Sequence, residues 1–286
     1  MMMKKSYRGI LATIIVVIVA IVGSAVWHQQ KHSKYIQSTT PTLFFHGGGS
    51  SYHAEEQMVN AAKKAGVTNT ILRANVDRTG KVTLHGSMHK GAINPIVEVN
   101  YENNRQLDFN KHGEYATNVV TALQRRYKIT KINMVGHSLG NISIIYYMLQ
   151  NGQNPQMPQL QKQVDIAGHF AGLTFKQVPT AIQQPAGMKL NKDGKPNKMN
   201  ATYQQMTRAR QTYPKGKVAV LNIIGDIGNH TDGRVDNISS LSLKYLVGSR
   251  AKSYRVLKIT GKDAQHSKLH DNAQVDKALI NFLWGK

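Results

Sequence analysis

The sequence predicts an α/β fold in which a mostly parallel sheet carries helices on both faces. Three observations predict it. From Pro41 onward, short apolar runs of strand character alternate with segments of helical period. One stretch, Ile132 to Leu149, passes from an apolar run through a glycine-flanked turn into a strongly apolar helix. The chain has 286 residues, 41% of them hydrophobic, enough for one sizeable domain plus an appendage.

The appendage comes first. Lys4, Lys5 and Arg8 precede Gly9 to Trp27, a run without a charge whose core, Ile10 to Val22, is almost entirely Ile, Val, Leu and Ala. About 20 apolar residues suffice to span a bilayer, and the leading positive charges favour an N-terminus that stays inside. Residues 1–34 are therefore expected to be a transmembrane anchor with a linker, leaving residues 35–286 outside the cell. Cleavage as a signal segment near Gly23-Ser24-Ala25 is the alternative, and it also exports the remainder.

In the domain that follows, Thr42 to Phe45 reads as a short strand ending in glycines, and Ala54 to Ala65 as a helix. Thr70 to Val76 and Lys81 to His85 read as strands around the turn Asp77-Arg78-Thr79-Gly80, with Ile96 to Tyr101 as another. Glu114 to Tyr127 sets Ala116, Val119, Val120, Leu123 and Tyr127 on one helical face. A buried strand over Lys131 to Val135 and a helix over Asn141 to Leu149 follow. Further strands are expected over Val164 to Ala167, Lys217 to Ile224 and Tyr254 to Thr260, and a closing helix over Ala273 to Trp284. Leu173 to Gly216 breaks the rhythm. It is rich in Gln, Asn, Lys, Pro and Met, too long for an ordinary connection, and reads as a lid-like insertion or a disordered surface loop.

Composition excludes several function classes. With no cysteine there is no disulfide framework, thiolate metal site or cysteine nucleophile. Lys and Arg number 37 against 15 Asp and Glu, a formal charge of +22. Such a surface attracts polyanions, and anionic cell-envelope polymers are possible partners. No nucleic-acid module accompanies the charge, so no nucleic-acid partner is expected. Asp226, His230, Asp232 and Asp236 cluster in sequence but do not fit a calcium loop, and no H-E-x-x-H occurs. Neither a metal nor a cofactor is called for.

The chemistry is carried by Gly136-His137-Ser138-Leu139-Gly140. In a G-x-S-x-G elbow the serine sits on a tight strand-to-helix turn that lifts its hydroxyl above the sheet. The following N–H is aimed at the oxyanion that develops in acyl transfer. Here the motif lies between an apolar strand and an apolar helix, the context it requires, and this makes the predicted fold an α/β-hydrolase fold. Phe45-His46-Gly47-Gly48-Gly49, after an early strand, supplies a second oxyanion donor, Gly48 N–H beside Leu139 N–H. An acid and then a histidine must follow. Asp232, in Asp232-Gly233-Arg234-Val235, is the expected acid, with Asp226 as the alternative and Asp236 expected to cap a helix. His266, on the loop after the last strand, is the expected base, with His270 as the alternative.

The motifs Phe45-His46-Gly47, Val135 to Gly140, Ile166-Ala167-Gly168 with Phe170-Ala171-Gly172, Thr231 to Val235 with Ser239, His266 to Asn272 and Phe282-Leu283-Trp284 extend over nearly all of the chain after the anchor. In them the chain resembles the DUF915-type α/β-hydrolases, uncharacterised bacterial cell-surface hydrolases related to lipases and esterases. The resemblance implies the same assignment of Ser138, Asp232 and His266. Two positions depart from it: Asn141, where a small residue is common, and His169, where proline is usual. The expected activity is cleavage of a carboxylic ester in a small or lipid-like acyl substrate, through an acyl-enzyme. A peptidase, amidase or acyltransferase using the same residues, or a non-catalytic surface module binding anionic polymers, are the alternatives.

Overall fold

Eight strands form one sheet in a computed structural model that describes residues 10–22 and 34–286. They are β1 (Thr42–Phe45), β2 (Ile71–Val76), β3 (Val82–His85), β4 (Ile96–Tyr101), β5 (Lys131–His137), β6 (Gln159–Ile166), β7 (Ala219–Asp226) and β8 (Ser253–Thr260). Their spatial order is β3-β2-β4-β1-β5-β6-β7-β8. Every neighbouring pair is parallel except the β2–β3 hairpin. That hairpin turns on Asp77, whose Oδ1 accepts the N–H groups of Thr79 (2.8 Å) and Lys81 (3.0 Å), while Gly80 takes the positive φ of 90°.

The helices are α1 (Glu56–Lys64), α2 (Phe109–Tyr127), α3 (Gly140–Asn151), α4 (Ala201–Met206), α5 (Ala209–Thr212), α6 (Asn237–Leu241), α7 (Leu243–Val247) and α8 (Ala273–Trp284). Strand alternation gives the sheet two buried faces. Leu43, Phe45, Val97, Val99, Ile132 and Met134 join one core with Val119, Val120 and Leu123 of α2 and Ile142, Ile145 and Leu149 of α3. On the opposite face, Phe44 pairs with Val135, Val135 with Val164 and Val164 with Leu221, an apolar row running across the sheet. Met58, Val59 and Ala62 of α1 and Val275 and Leu279 of α8 are buried as well. Lys162 of β6 reaches the end of α8, donating to the carbonyls of Phe282 (3.0 Å) and Leu283 (2.7 Å), where a cation meets the negative end of the helix dipole.

The other end of the row is charged. Glu98 pairs with Phe44 in register, and Arg73 pairs with Glu98. Glu55, just before α1, is 1% exposed, and neither of its carboxylate oxygens has a hydrogen-bond partner among the described residues. Burial, reinforced by the neighbouring Glu98, raises its pKa to about 8.

Several sequence expectations change here, among them the start of β6, at Gln159 rather than Val164. Helix α2 starts at Phe109, five residues before the expected Glu114, because Asp108 caps it by accepting the Asn110 N–H at 2.9 Å. Residues 173–216 are folded rather than disordered. Ile182, Met188, Tyr203, Met206 and Tyr213 are buried in the core, and the Tyr203 hydroxyl donates to the Ser242 carbonyl at 2.9 Å.

The terminal residues, up to Gln37 together with Trp284–Lys286, form a separate unit from Ser38–Leu283. Within it, Tyr35 bridges Gly285 and the Ile36 N–H donates to the Trp284 carbonyl at 2.8 Å. Residues 10–22 are helical with their apolar side chains exposed. Among the described residues no helix is long and apolar enough to cross a membrane, so the expected anchor finds no support in them. The rest of the expected span, Gly9 and residues 23–27, lies outside the described residues.

Candidate active site

The carboxyl ends of β1, β5, β7 and β8 converge on one cleft, the edge at which open α/β sheets bind ligands. Ser138 follows β5 directly and holds φ at +52°, a conformation that L-residues adopt only under constraint. Its N–H donates to the Ile166 carbonyl (2.9 Å), and its carbonyl accepts the N–H of Asn141 (3.1 Å) and the Asn141 side-chain amide (2.9 Å). Asn141 thus ties the turn to β6, since the same amide also reaches the Ile166 carbonyl at 2.9 Å. This gives a physical account of one departure noted in the sequence. The flanking glycines are required by space. A Cβ on Gly136 would lie 2.7 Å from the Asn141 nitrogen, and one on Gly140 only 2.0 Å from the Phe45 carbonyl oxygen.

Ser138 Oγ stands 3.0 Å from His266 Nε2, and His266 Nδ1 stands 2.8 Å from Asp232 Oδ2. A carboxylate only accepts, so Nδ1 carries the proton and Nε2 is left to accept from the serine hydroxyl. Asp232 is buried, and its other oxygen accepts the N–H groups of Arg234 (2.8 Å) and Val235 (2.7 Å). The His266 N–H donates to the Asp232 carbonyl at 2.9 Å, which joins the two loops through their backbones as well. A short 3₁₀ turn, His266–Lys268, presents the ring, and the Gln265 side chain caps it by accepting from Ser267 N–H (2.9 Å) and Lys268 N–H (3.2 Å).

The alternatives take other partners. Asp226 binds Lys258 Nζ at 2.6 Å and the Gly228 N–H at 3.0 Å. Asp236 precedes α6 but its side chain does not cap it; instead it accepts from Gln184 Nε2 at 2.8 Å. His270 lines the cleft with its ring 4.8 Å from that of His137.

The glycine loop after β1 lies against the elbow. A Cβ on Gly47 would lie 3.2 Å from Ser138 Cβ, and one on Gly48 would lie 3.1 Å from Leu139 Cδ2. His46 sets the direction of this loop. Its Nε2 accepts the Tyr101 N–H (3.1 Å), so its Nδ1–H donates to the Gly47 carbonyl (2.8 Å). In a trans peptide the C=O and the next N–H point oppositely, so holding the Gly47 carbonyl turns the Gly48 N–H away from His46. Neither the Gly48 N–H nor the Leu139 N–H donates to a protein acceptor among the described residues.

Two buried histidines complete the surroundings. Burial, then the rings of His266 and His270, holds His137 well below the usual histidine range, so it is neutral. Its Nε2–H donates to the His266 carbonyl at 3.1 Å and so fixes the backbone that presents the His266 ring. His169, at the second departure, is also lowered by burial, to about 4, and lines the cleft. The roles of His46 and His137 escape the sequence because their partners lie 55 and 129 residues away.

The cleft measures about 460 Å³, the size of a site for a small ligand. Leu107, Phe109, Leu173, Phe175 and Ile182 supply its apolar wall, three of them from the segment 173–216. A serine, a histidine and an aspartate hydrogen-bonded in series at the carboxyl edge of a sheet of this topology are the arrangement expected of an α/β-hydrolase fold. The DUF915 family, described as an alpha/beta hydrolase of unknown function, matches residues 29–286, and the protein belongs to that family. No curated protein matches the sequence. Among solved structures, a Listeria innocua gene product is similar with a TM-score of 0.74 and 25% identity, over 86% of this chain and 94% of that one. A Lactobacillus plantarum protein named as a cell surface hydrolase has a TM-score of 0.63 and 17% identity, over 85% of this chain and 88% of that one.

Proposed function

We propose that the protein is a serine hydrolase that cleaves carboxylic esters, with Ser138 as nucleophile, His266 as general base and acid, and Asp232 as the acid that orients the imidazole. The observation that carries this reading is the continuous relay from Ser138 Oγ through His266 to Asp232, at 3.0 and 2.8 Å, on a strained turn. In the first half-reaction His266 Nε2 takes the hydroxyl proton as Ser138 attacks the ester carbonyl. The tetrahedral oxyanion binds the Gly48 and Leu139 N–H groups. Collapse passes the proton to the leaving alcohol and leaves an acyl-serine. Water, deprotonated by the same imidazole, then releases the acid and restores the serine. The residues 173–216 act as a cap whose apolar side chains receive the acyl group.

The test is labelling with a fluorophosphonate probe. Wild type should label and Ser138→Ala should not; an unlabelled wild type would remove the enzyme reading and favour a surface binding module. A panel of matched esters and amides then separates an esterase from an amidase.

The same reading places the domain at the cell surface, held by the charged and apolar N-terminal segment. It is supported by Lys4, Lys5 and Arg8 preceding an uncharged run, and by the name of the Lactobacillus plantarum protein. The net charge of +22 favours contact with anionic envelope polymers. Protease digestion of intact cells should remove the domain if it lies outside; protection until lysis would refute this.

A further inference from the structure

The cleft over Ser138 contains two guanidinium groups that ester cleavage itself does not require. Arg105, on the loop after β4, lies against the glycine loop: a Cβ on Gly49 would meet its Cζ and Nη2, each at 3.2 Å. The Gly49 N–H, which donates to the Asn104 carbonyl at 2.8 Å, fastens the two loops together. Arg234 lines the same cleft and lies two residues after Asp232. Its own N–H is bonded to the Asp232 carboxylate at 2.8 Å, so its position is tied to the relay. Its guanidinium stands 5.9 Å from the centre of the Phe175 ring.

Neither guanidinium has an ion-pair or hydrogen-bond partner among the described residues. A few exposed cations pair with acids, as Arg78 does with Glu102 at 2.9 Å and Lys258 with Asp226 at 2.6 Å, but what sets Arg105 and Arg234 apart is that both line the cleft over Ser138. Among the described residues no Asp or Glu lines the cleft. Among the histidines there, His137, His169 and His270 are all lowered by burial and neutral at pH 7, so they neither add to nor offset the two guanidinium charges. Two fixed positive charges therefore face the cleft beside an apolar wall. A planar guanidinium is the group best suited to a carboxylate or phosphate, and it binds far better where no protein acid competes.

We propose that the substrate is an acyl ester bearing an anionic group, carboxylate or phosphate, close to the scissile bond, and that Arg105 and Arg234 recognise that group. This rests on the serine-hydrolase reading for turnover but not for binding, and the experiment separates the two. In one arm, kcat/KM is compared for 4-nitrophenyl hemiglutarate and neutral 4-nitrophenyl valerate. In the other, 1-acylglycerol 3-phosphate is compared with the neutral monoacylglycerol. The ratio of anionic to neutral kcat/KM should be at least about tenfold in one arm, which also identifies carboxylate or phosphate as the anion. It should fall about tenfold in Arg105→Gln or Arg234→Gln and shrink as salt is raised. Both variants are checked for wild-type melting temperature.

Binding of the same pairs to Ser138→Ala protein, which cannot turn them over, is measured by calorimetry. If wild type fails to label with fluorophosphonate yet Ser138→Ala binds the anionic ester through the two arginines, the hydrolase reading falls and the anion site stands. If labelling succeeds but neutral esters are turned over and bound as well as anionic ones in both arms, the proposal is overturned. Variants that lower anionic and neutral partners in parallel overturn it too.

Discussion

Glu55 offers a test of the buried electrostatics beside the glycine loop. Its carboxyl is 1% exposed, has no hydrogen-bond partner among the described residues, and is raised to about 8 by burial and by Glu98. In the unfolded chain it titrates near 4.3. Between those values the folded state holds a proton that the unfolded state has released, so stability is fully present at low pH and falls as pH rises toward 8. Each pH unit in that window costs about 1.4 kcal/mol, which amounts to roughly 3–4 kcal/mol between pH 5 and 8. Glu55→Gln keeps the shape and removes the proton. Its unfolding free energy, measured by urea denaturation from pH 5 to 9, should overtake that of wild type by about that amount as pH increases, then run parallel above 8. The repulsion between Glu55 and Glu98 is lost in the variant, so the difference reports burial and that repulsion together. Stability curves that stay parallel from pH 5 to 8 would refute the reasoning, because they would mean that Glu55 ionises in the fold without penalty.

Further outcomes follow from the elbow and its relay. Asp232→Asn should retain the fold, because an amide oxygen can still accept the Arg234 and Val235 N–H groups. It should nonetheless lower kcat on an ester by about 10³–10⁴-fold, since the histidine tautomer is no longer enforced; steady-state kinetics with matched melting temperatures checks this. Gly140→Ala puts a Cβ 2.0 Å from the Phe45 carbonyl and should cost at least about 3 kcal/mol of stability or prevent folding. Gly66→Ala is the control: its φ is also positive, at +80°, but nothing lies within 4 Å of the added carbon. Its cost should be only about 1–2 kcal/mol by urea denaturation.

Much of the framework was legible because it is written locally. The four residues of β1 and the whole of α8 coincide with the apolar runs that announce them, and the β2–β3 hairpin with its Asp77 to Gly80 turn. The elbow was legible because close backbone approach demands glycine at 136 and 140, and only a strand and a helix place it there. What the sequence hides is held by distant partners. Residues 173–216 have no period to read; their order comes from Asn200, whose side chain donates to the carbonyls of Ala171 (3.1 Å) and Gln183 (3.0 Å), and from burial of Tyr203 and Tyr213. The early start of α2 was masked by Gly113, which is there because a Cβ would lie 2.9 Å from the Tyr146 Cβ of α3. Arg105 looks like one of 37 cations until the fold sets it on Gly49.

The relay joins residues separated by 128 positions, and the last of them follows the outermost strand. Strand β8 has one neighbour only, and until it has docked on β7 the imidazole cannot be delivered to the serine. On the proposed reading, a chain in which β8 has not docked holds a serine hydroxyl without its base. On that reading, hydrolysis thus depends on an edge strand held by a single neighbour among the described residues.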